Sequence, residues 1–413
     1  MGRSWNRATF ILAVAVPLAG ASAAVAGPPA LAAPVGHASA ALARGRDLPR
    51  ASTAAEGEDL AGVSAVSATD AWAVGYKCSN AECALPNLTY STLIEHWNGR
   101  RWSTVASPNP TSNDQLTGVS AVSATDAWAV GTPNLPQSSS NQALILHWNG
   151  KKWSTTSIPD VSIAFFLSGV TALSATNAWA VGDYYTDGGT HTLILHWNGR
   201  KWSKVASPNP SPTSDGLSGV SAVSAKDAWA VGSYLPASGH PSSTLILHWN
   251  GRKWSRVASP NPGFQTNDLL GVSALTPKDA WAVGDMENFV LQSVVLRWNG
   301  KAWSQVASPH PGSSYSVLDG VSAKSASDAW AVGYYSSTKG DTEKTLILRW
   351  NGKAWTQVPS PSPNPNSSGI NQLAGVSTVS PGHAFAAGYS DDAFTGVNLT
   401  LIVDWNGKRW SRP

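Results

Sequence analysis

Residues 217–232 read L-S-G-V-S-A-V-S-A-K-D-A-W-A-V-G, and residues 244–254 read T-L-I-L-H-W-N-G-R-K-W. Close copies of both stretches recur from Leu60 to the end of the 413-residue chain. The tripeptide W-N-G begins at seven positions, spaced 51, 49, 52, 49, 52 and 55 residues apart: Trp97, Trp148, Trp197, Trp249, Trp298, Trp350 and Trp405. Repetition with a period near 50 residues is typical of solenoids, propellers and arrays.

Each unit contains four runs rich in Val, Ile, Leu and Trp that are bounded by turn residues; in the fourth unit they are 219–224, 227–234, 244–249 and 253–258. These runs are typical of strands. The third run is apolar at nearly every position, which indicates that both faces of its sheet are covered. We therefore predict an all-β fold, a seven-bladed β-propeller of four-stranded antiparallel blades, with units that start near Leu60, Leu116, Leu167, Leu217, Leu269, Leu318 and Leu373.

The W-N-G-x-x-W segment predicts the turn between the third and fourth strands. Asn-Gly between apolar residues favours a two-residue type I′ hairpin. This register would place Trp97 opposite Arg100, His96 opposite Arg101 and Glu95 opposite Trp102. The same register sets no two like charges opposite each other in the later units, where Arg297 and Arg349 would face alanines.

The 21 tryptophans follow the repeat, with three in each unit except the seventh, where Phe385 replaces one; Trp5 precedes the repeats. Tryptophan can stack on sugars, but residues repeated in this register indicate a structural role. We expect them to pack between blades and so to form the core.

The pattern G-V-S-x-x-S-x-x-D-A-W-A-V-G followed by L-I-L-x-W-N-G-x-x-W resembles the Asp-box repeat of sialidase-like propellers, two-propeller glucan hydrolases and the photosystem II assembly-factor family. In that repeat a D-x-G-x-x-W turn precedes the fourth strand, and here Asn98 stands where the family has Asp. The resemblance covers about 350 residues. It implies the fold and no activity, because the arginine cluster and the tyrosine–glutamate pair that a sialidase needs are missing from the sequence.

The N-terminus predicts export. Arg3 and Arg7 precede an apolar stretch, and Ala24-Val25-Ala26 matches a cleavage signature, so residues 1–26 are expected to be a signal peptide. Residues 27–59 are rich in Ala, Gly and Pro and are predicted to be a disordered linker. The Ala-rich, Lys-poor style suggests a bacterial source. We expect a secreted, extracellular protein in which Cys78 and Cys83 form a local disulfide.

Composition excludes several classes of function. Two cysteines are too few for a zinc or iron–sulfur domain, and a net charge of +3 is too small for a nucleic-acid footprint. Phosphate loops, nucleophile elbows and zinc-protease motifs are absent. We expect no cofactor, no metal, no nucleic acid, no membrane span after signal cleavage, and a monomer.

The loops after the second and fourth strands differ between units, and variable loops on a rigid scaffold generally carry function. The second strand ends there in Tyr and Asp residues predicted to bind a ligand around the tunnel mouth: Tyr76, Asp183, Tyr184, Tyr185, Tyr234, Asp285, Tyr334, Tyr335 and Tyr389. Rings and carboxylates suit carbohydrate or peptide. Alternatively, these tyrosines only cap the blade ends.

The leading functional hypothesis is a binding or scaffold protein that recognises a carbohydrate or another cell-surface polymer through this face. One alternative is a sialidase-like glycan hydrolase or lyase that uses scattered carboxylates: Asp183, Asp187, Asp285, Glu287, Asp341, Glu343, Asp391 and Asp392. Another is a protein-interaction platform. The basic residues of the opposite end either contact anionic polymers or only keep the surface soluble.

Overall fold

The computed structural model describes residues 57–79, 89–133, 143–159, 161, 164–236, 241–338, 342–366, 369–392 and 397–413. The described residues form twenty-eight strands in seven blades of four, and each blade keeps its strands in sequence order. One parallel bridge, Leu291 to Tyr315, joins the fifth blade to the sixth. The predicted seven-bladed antiparallel architecture is therefore confirmed.

The strand bounds follow the repeat closely. From the first blade to the seventh they are β1 (Gly57–Ser67), β2 (Asp70–Cys78), β3 (Tyr90–Trp97), β4 (Trp102–Thr104); β5 (Asp114–Ser123), β6 (Asp126–Pro133), β7 (Leu144–Trp148), β8 (Trp153–Thr155); β9 (Phe165–Ser174), β10 (Asn177–Thr186), β11 (Gly189–Trp197), β12 (Trp202–Lys204); β13 (Asp215–Ser224), β14 (Asp227–Tyr234), β15 (Ser243–Trp249), β16 (Trp254–Arg256); β17 (Thr266–Thr276), β18 (Asp279–Glu287), β19 (Leu291–Trp298), β20 (Trp303–Gln305); β21 (Tyr315–Ser325), β22 (Asp328–Ser336), β23 (Lys344–Trp350), β24 (Trp355–Gln357); β25 (Asn371–Ser380), β26 (His383–Asp391), β27 (Asn398–Trp405) and β28 (Trp410–Ser411).

The first strand begins at Gly57, so the last three residues assigned to the predicted linker 27–59 belong to β1. These residues adopt the strand conformation because β2 continues past Gly75 and pairs with them. Glu58 lies opposite Lys77, whose Nζ is 2.5 Å from the Glu58 carboxylate. The predicted signal peptide and residues 27–56 lie outside the described residues. Cys78 is buried and disulfide-bonded, and its predicted partner Cys83 lies outside them too.

The ring closes by direct contact of the first blade with the seventh. The innermost strands pack so closely that a Cβ added to Gly375 would lie 3.1 Å from Gly62 Cα. The same glycine position approaches its successor around the ring, as Gly62 does Gly118 at 3.5 Å. Both terminal blades are complete, since β1–β4 and β25–β28 each form one sheet. The ring therefore closes without a shared blade.

Tryptophans fill the space between neighbouring blades. The β2 indole of Trp72 lies 4.9 Å from Trp148 and 5.2 Å from Trp153, both in the next blade, with the second contact edge-on. The same triad recurs at every junction, and Phe385 completes the ring against Trp97 and Trp102. The six β2-type tryptophans are at most 1% exposed. Their role is packing between blades, as the repeat predicts.

The glycine of W-A-V-G is required by an irregularity in the first strand. At Leu60 to Gly62 the pairing with β2 skips a residue, which turns a first-strand carbonyl toward Gly75. A Cβ on Gly75 would lie 1.9 Å from the Asp59 carbonyl oxygen. Because every blade repeats this bulge, every blade needs the glycine.

The predicted two-residue hairpin turn is wrong. Trp97 lies directly opposite Trp102, so the loop has four residues, and Asn98 Oδ1 accepts backbone hydrogen bonds from Arg100 and Arg101 at 3.0 and 3.1 Å. Gly99 has φ +86°. The Asn side chain closes its own turn, which is the alternative that Asn-Gly offers to a type I′ hairpin.

The molecule has two different ends. Turns after the first and third strands form the turn end, where each third-strand indole donates to a carbonyl of the neighbouring turn, as Trp97 Nε1 does to Ala68 O at 3.0 Å. Loops after the second and fourth strands form the loop end. Within the described part of the chain, no helix is long and apolar enough to cross a membrane.

Candidate functional site

At the loop end the first blade holds a buried tyrosine–carboxylate pair. Tyr76 donates its hydroxyl proton to Asp59 Oδ2 at 2.5 Å. Burial raises the pKa of Asp59 to about 6, although the hydrogen bonds from Tyr76 and Asn398 oppose that rise. Burial, followed by the charge of Asp59, raises the pKa of Tyr389 well above its usual value, so the seventh blade contributes to the same polar region.

A second polar cluster joins the sixth and seventh blades. Glu343 accepts hydrogen bonds from the Tyr315 hydroxyl at 2.6 Å and from Gln372 Nε2 at 2.5 Å. Tyr334 lies near Tyr315, with ring centroids 6.1 Å apart, and is 3% exposed. The predicted residues Tyr76, Tyr334 and Tyr389 therefore lie in or beside these two buried polar clusters.

Three other predicted residues pack between blades. Tyr184, Tyr234 and Tyr335 join apolar clusters formed with the preceding blade. Lys204 Nζ sits 3.4 Å from the centre of the Tyr184 ring, and the Arg256 guanidinium sits 4.5 Å from that of Tyr234. For these residues the arrangement matches the interpretation that tyrosines cap the blade ends.

The remaining predicted residues lie in the third and fifth blades. Burial raises the pKa of Asp183 to about 7, and Tyr185 packs edge-on against Phe166 with centroids 5.6 Å apart. Asp285 is 1% exposed in the fifth blade, directly opposite Asp268. Because the nine residues fall into these separate environments, their role in ligand binding stays a prediction.

The carboxylates named for a hydrolase are also dispersed among blades. Glu343 is held as described, and Asp391 accepts from Asn364 Nδ2 at 2.5 Å and from the Ile370 backbone at 2.6 Å. Asp341 lies outside the described residues. Across the described part of the chain no cluster of three or more His, Cys, Asp or Glu side chains is arranged to hold a metal ion.

Three of the four third-strand histidines pair with the turn aspartate, the residue that follows the turn after the first strand, and His196 pairs with Asn177 there. His96 Nε2 lies 2.9 Å from Asp70 Oδ1, and the His96 ring stacks 4.2 Å from Trp72. Arg297 replaces histidine in the fifth blade and binds Asp279 at 3.0 Å. These pairs link the start of the second strand to the third strand within each blade, so their role is structural.

A repeated lock closes the outer loop end of most blades. In the fourth blade Thr244 Oγ1 bonds Ser259 Oγ at 2.6 Å, and Asn261 Oδ1 accepts from the Thr244 backbone N–H at 2.7 Å. The first and third blades form the same bonds, and the sixth forms them with Ser362 in place of Asn. The lock ties the third strand to the loop that leaves the blade.

The fifth blade departs from this lock and contains a pocket. Ser293 stands where the first, third, fourth and sixth blades have Thr, and His310 stands where the first, third and fourth blades have Asn. Ser293 is 3% exposed, and its hydroxyl has no hydrogen-bond partner among the described residues. A cavity of about 360 Å³ opens here, lined by Met286, Ser293, Gln305, Val306, Ala307, Ser308 and His310.

Met286 also contributes to this opening. The third, fourth and sixth blades have tyrosine at its position, and in two of them a fourth-strand cation covers the ring. In the second blade, apolar Ala143 and Ile158 replace the lock and join an apolar cluster. The fifth blade thus keeps polar side chains at the lock and leaves one of them unbonded.

Two exposed phenylalanines flank the pocket. Phe289 is 83% exposed and Phe264 is 52% exposed, with ring centroids 4.8 Å apart. Phe289 follows Met286 by three residues, and Gly263 lies so close that an added Cβ would come 3.0 Å from Met286 Cβ. The pair therefore stands beside the pocket wall.

The loop holds the phenylalanines in place at a conformational cost. The Phe289 backbone donates to Gln265 Oε1 at 2.7 Å, and the Phe264 backbone donates to Asn288 Oδ1 at 2.8 Å. Phe289 has φ +74°, which costs a bulky side chain about 1–2 kcal/mol. Backbone strain that fixes an exposed ring points to a functional surface.

The sequence-based prediction missed this site because it looked for Tyr and Asp side chains at the ends of the second strands. The signal was of another kind, a unit that breaks a bonded pattern of the third strand while its core positions stay intact. Thr to Ser at position 293 and Asn to His at position 310 are visible in the aligned repeats. Their meaning depends on the bonds that the other blades form.

Comparison with known proteins supports the fold. No family model matches the sequence, and no curated protein matches it. Among solved structures, the GH74 xyloglucanase of Xanthomonas campestris is 11% identical with a TM-score of 0.53, over 86% of this chain and 55% of that one. An ulvan lyase of family PL25, bound to -[GlcA(1-4)Rha3S]-, is 9% identical with a TM-score of 0.52, over 83% and 91%.

The structure of YCF48 bound to D1 peptide is 13% identical, with a TM-score of 0.47 over 86% of this chain and 99% of that one. At such identities a likeness concerns the fold alone. The repeated four-stranded sheets and the structural matches with TM-scores above 0.5 agree with the fold that the W-N-G-x-x-W repeats predict. The chain is a β-propeller repeat protein with Asp-box-like repeats.

Proposed function

We propose that this chain is an exported carbohydrate-binding protein and that the fifth-blade pocket receives one neutral sugar residue. The observation that carries the proposal is the chemistry of the lining. Two hydroxyls, an amide and an imidazole share the cavity with Met286 and two small apolar residues, and no carboxylate, lysine or arginine is among the described lining residues. Groups that both donate and accept suit sugar hydroxyls.

The size of the site and its surroundings fit the same ligand. A cavity of about 360 Å³ lies at the lower end of the range for small-molecule pockets, about 300–1,000 Å³. The unpartnered hydroxyl of Ser293 lacks a hydrogen bond that a ligand hydroxyl would supply. The exposed rings of Phe264 and Phe289 offer an apolar surface to the C–H face of a neighbouring sugar.

Export agrees with two features of the chain. Ala24-Val25-Ala26 follows an apolar stretch as a cleavage signature would, and Cys78 is disulfide-bonded, which suits an oxidising compartment. An extracellular glycan is a ligand that such a protein would meet. N-terminal sequencing of the protein recovered from the culture medium of an expressing cell tests export, and a start at Gly27 is the expected result.

A glycan array with the full chain is the first experiment, followed by a variant that restores the repeat. Ser293→Thr with His310→Asn rebuilds the lock of the first, third and fourth blades across the pocket. We expect this variant to fold at least as stably, because it adds the bonds that Thr244 makes, and to lose glycan binding. The matched control is Thr244→Ser with Asn261→His, which alters a closed lock and should leave binding unchanged.

Two results would reject the proposal. The first is undiminished glycan affinity in the restored variant, which would remove the pocket from consideration. The second is absence of binding to every neutral glycan together with recovery of a protein partner, which would favour an interaction platform. Release of reducing sugar from a bound glycan would instead favour the hydrolase or lyase alternative.

A further inference from the structure

The turn end carries a dense ring of exposed cations. Fifteen lysines and arginines lie there, all of them exposed: Arg100, Arg101, Lys151, Lys152, Arg200, Lys201, Lys226, Arg252, Lys253, Lys278, Lys301, Lys324, Lys353, Lys408 and Arg409. Twelve of them belong to the four-residue turns between third and fourth strands. Every blade therefore contributes to the ring.

The fifth and sixth blades have one cation fewer in the turn between their third and fourth strands, but each carries a lysine nearby that compensates. Ala302 and Ala354 stand at the second cationic position of their turns in the fifth and sixth blades. The same two blades carry Lys278 and Lys324 near the turn after their first strand. Each blade thus presents at least two cations.

The carboxylates described at this end do not form ion pairs with the ring; Asp404, at the third-strand histidine position of the seventh blade, accepts a hydrogen bond from Ser411 Oγ. Asp70, Asp126 and Asp227 bind histidines, while Asp279 and Asp328 bind the arginines Arg297 and Arg349. The side chains of these five aspartates are 8–16% exposed. Among the described residues no ion pair involves any of the fifteen exposed cations, so their charge faces solvent.

The loop end has the opposite sign. Five described cations lie there against twelve carboxylates: Glu58, Asp59, Asp114, Asp183, Asp187, Asp215, Asp268, Asp285, Glu287, Glu343, Asp391 and Asp392. The formal net charge of +3 therefore conceals a strong polarity along the propeller axis. A requirement for solubility alone would be met by mixing the two signs over the surface.

The shape of the turn end selects the kind of partner. The third strand and fourth strand pair in the same register in every blade, from Trp97 with Trp102 to Trp405 with Trp410, so the seven turns end at one level. The only large apolar residue exposed there among those described is Val66, at 37%. A flat cationic ring without aromatic platforms suits a planar anionic surface, whereas a single strand of polymer would reach only some blades.

We propose that the turn end docks on the surface of an anionic lipid bilayer. Binding is electrostatic and peripheral, and it leaves the loop end and its pocket facing away from the bilayer. The inference does not depend on carbohydrate binding, since it concerns the other end of the ring. Juxtaposed lysines and arginines attract anionic headgroups within a Debye length of the surface.

Sedimentation of the full chain with phosphatidylcholine vesicles, with and without phosphatidylglycerol, tests the proposal. We expect partition only onto the anionic vesicles and release at high salt. Arg100→Gln with Arg101→Gln should weaken partition by about fivefold per charge, or about 25-fold for the pair. The two substitutions should leave the turn intact, because Asn98 Oδ1 accepts hydrogen bonds from the backbone N–H groups at positions 100 and 101, which do not depend on the side chains.

The matched control is Lys344→Gln with Arg412→Gln, which removes the same charge from two exposed residues of the loop end. It should keep the partition of the unaltered chain. Equal losses in both variants would overturn the proposal, because they would show a dependence on net charge alone. Failure to bind the anionic vesicles would overturn it too, as would binding to a soluble polyanion such as duplex DNA in preference to vesicles.

Discussion

The hydroxyl of Ser377 accepts a hydrogen bond from the backbone N–H of Ala65 at 3.0 Å, across 312 positions of sequence. The same bond links consecutive blades, as Ser120 Oγ accepts from the Ala172 N–H at 3.0 Å. Six of the seven junctions, the seam included, carry this bond, and its donor lies three residues after the innermost glycine of each blade. The seam between the last blade and the first is therefore built like the junctions inside the chain.

We expect Ser377→Ala to lower the free energy of unfolding by about 1 kcal/mol, because it leaves a half-buried N–H without its acceptor. Ser120→Ala removes the equivalent bond between the second and third blades and should cost the same within about 0.5 kcal/mol. Urea unfolding of both variants measures this. A loss confined to Ser120→Ala would mean that the seam is open in solution.

Most of the fold could be predicted from the sequence, because a ring of repeats leaves few choices. Trp72 and Gly75 recur in register, and burial of an indole between blades fixes where each second strand lies. The mode of ring closure could not be predicted, although complete first and last units are compatible with a ring that has no shared blade. Phe385, the one departure among the second-strand aromatics, lies at the seam against Trp97.

The details that failed are those in which a side chain competes with the backbone. Asn98 and Gly99 suggested a two-residue turn, yet the Asn98 carboxamide binds two backbone N–H groups and widens the loop to four residues. His96 therefore faces Ser103 on the fourth strand, where the predicted register gave it Arg101. On its other side it faces Trp72 and reaches Asp70 on the second strand. Spacing alone does not distinguish these two registers.

The repeat supplies its own test of the pair formed by turn aspartate and third-strand histidine. The third blade uses Asn177, which lies 3.0 Å from His196 Nε2, where the second uses Asp126 at 2.8 Å from His147. Asp126→Asn copies the third blade and should change the free energy of unfolding by less than about 0.5 kcal/mol.

Asp126→Ala should cost about 1–3 kcal/mol, because it leaves the half-buried His147 nitrogen without its partner. Thermal unfolding of the two variants compares them directly. If the two variants lost equal stability, the pair would act through charge and not through its hydrogen bond.

The candidate site was less predictable than the fold. Tyrosines at the strand ends attracted attention by their chemistry, but Tyr234 packs into an apolar cluster beneath Arg256. The pocket depends on Ser293, a residue with no distinctive chemistry, whose importance comes from the bond that it fails to make. An absent bond cannot be derived from residue types until the bonds of the other blades are known.

Asp183 predicts a pH dependence of stability. Burial raises its pKa from 3.8 to about 7, so between those values the folded chain keeps a proton that the unfolded chain has lost. Stability should therefore fall as pH rises through this window and level off above it, by at most about 1.4 kcal/mol per pH unit for one carboxyl.

Asp183→Asn should remove that part of the decline, which urea midpoints at about pH 4 and about pH 8 would measure. Part of the decline should remain, because burial also raises the pKa of Asp59 to about 6. Asp187→Asn, at an exposed loop position, is the control and should follow the unaltered chain. Identical pH profiles for the two variants would contradict the raised pKa of Asp183.

The strained loop of the fifth blade makes the last prediction. Phe289 is 83% exposed at φ +74°, a conformation that glycine adopts without steric cost. Phe289→Gly and Phe289→Ala both remove the ring, but only glycine relieves the backbone. We expect the glycine variant to be the more stable of the two by about 1 kcal/mol, and both to bind glycan more weakly than the unaltered chain.

Chemical unfolding and glycan titration of the same two preparations separate the two effects. Phe264→Ala serves as the companion variant, since it removes the partner ring and leaves the Phe289 backbone as it is. It should weaken binding without the gain in stability. If Phe289→Gly bound glycan as tightly as the unaltered chain, the strain would have no part in recognition, and the exposed pair would have to serve another contact.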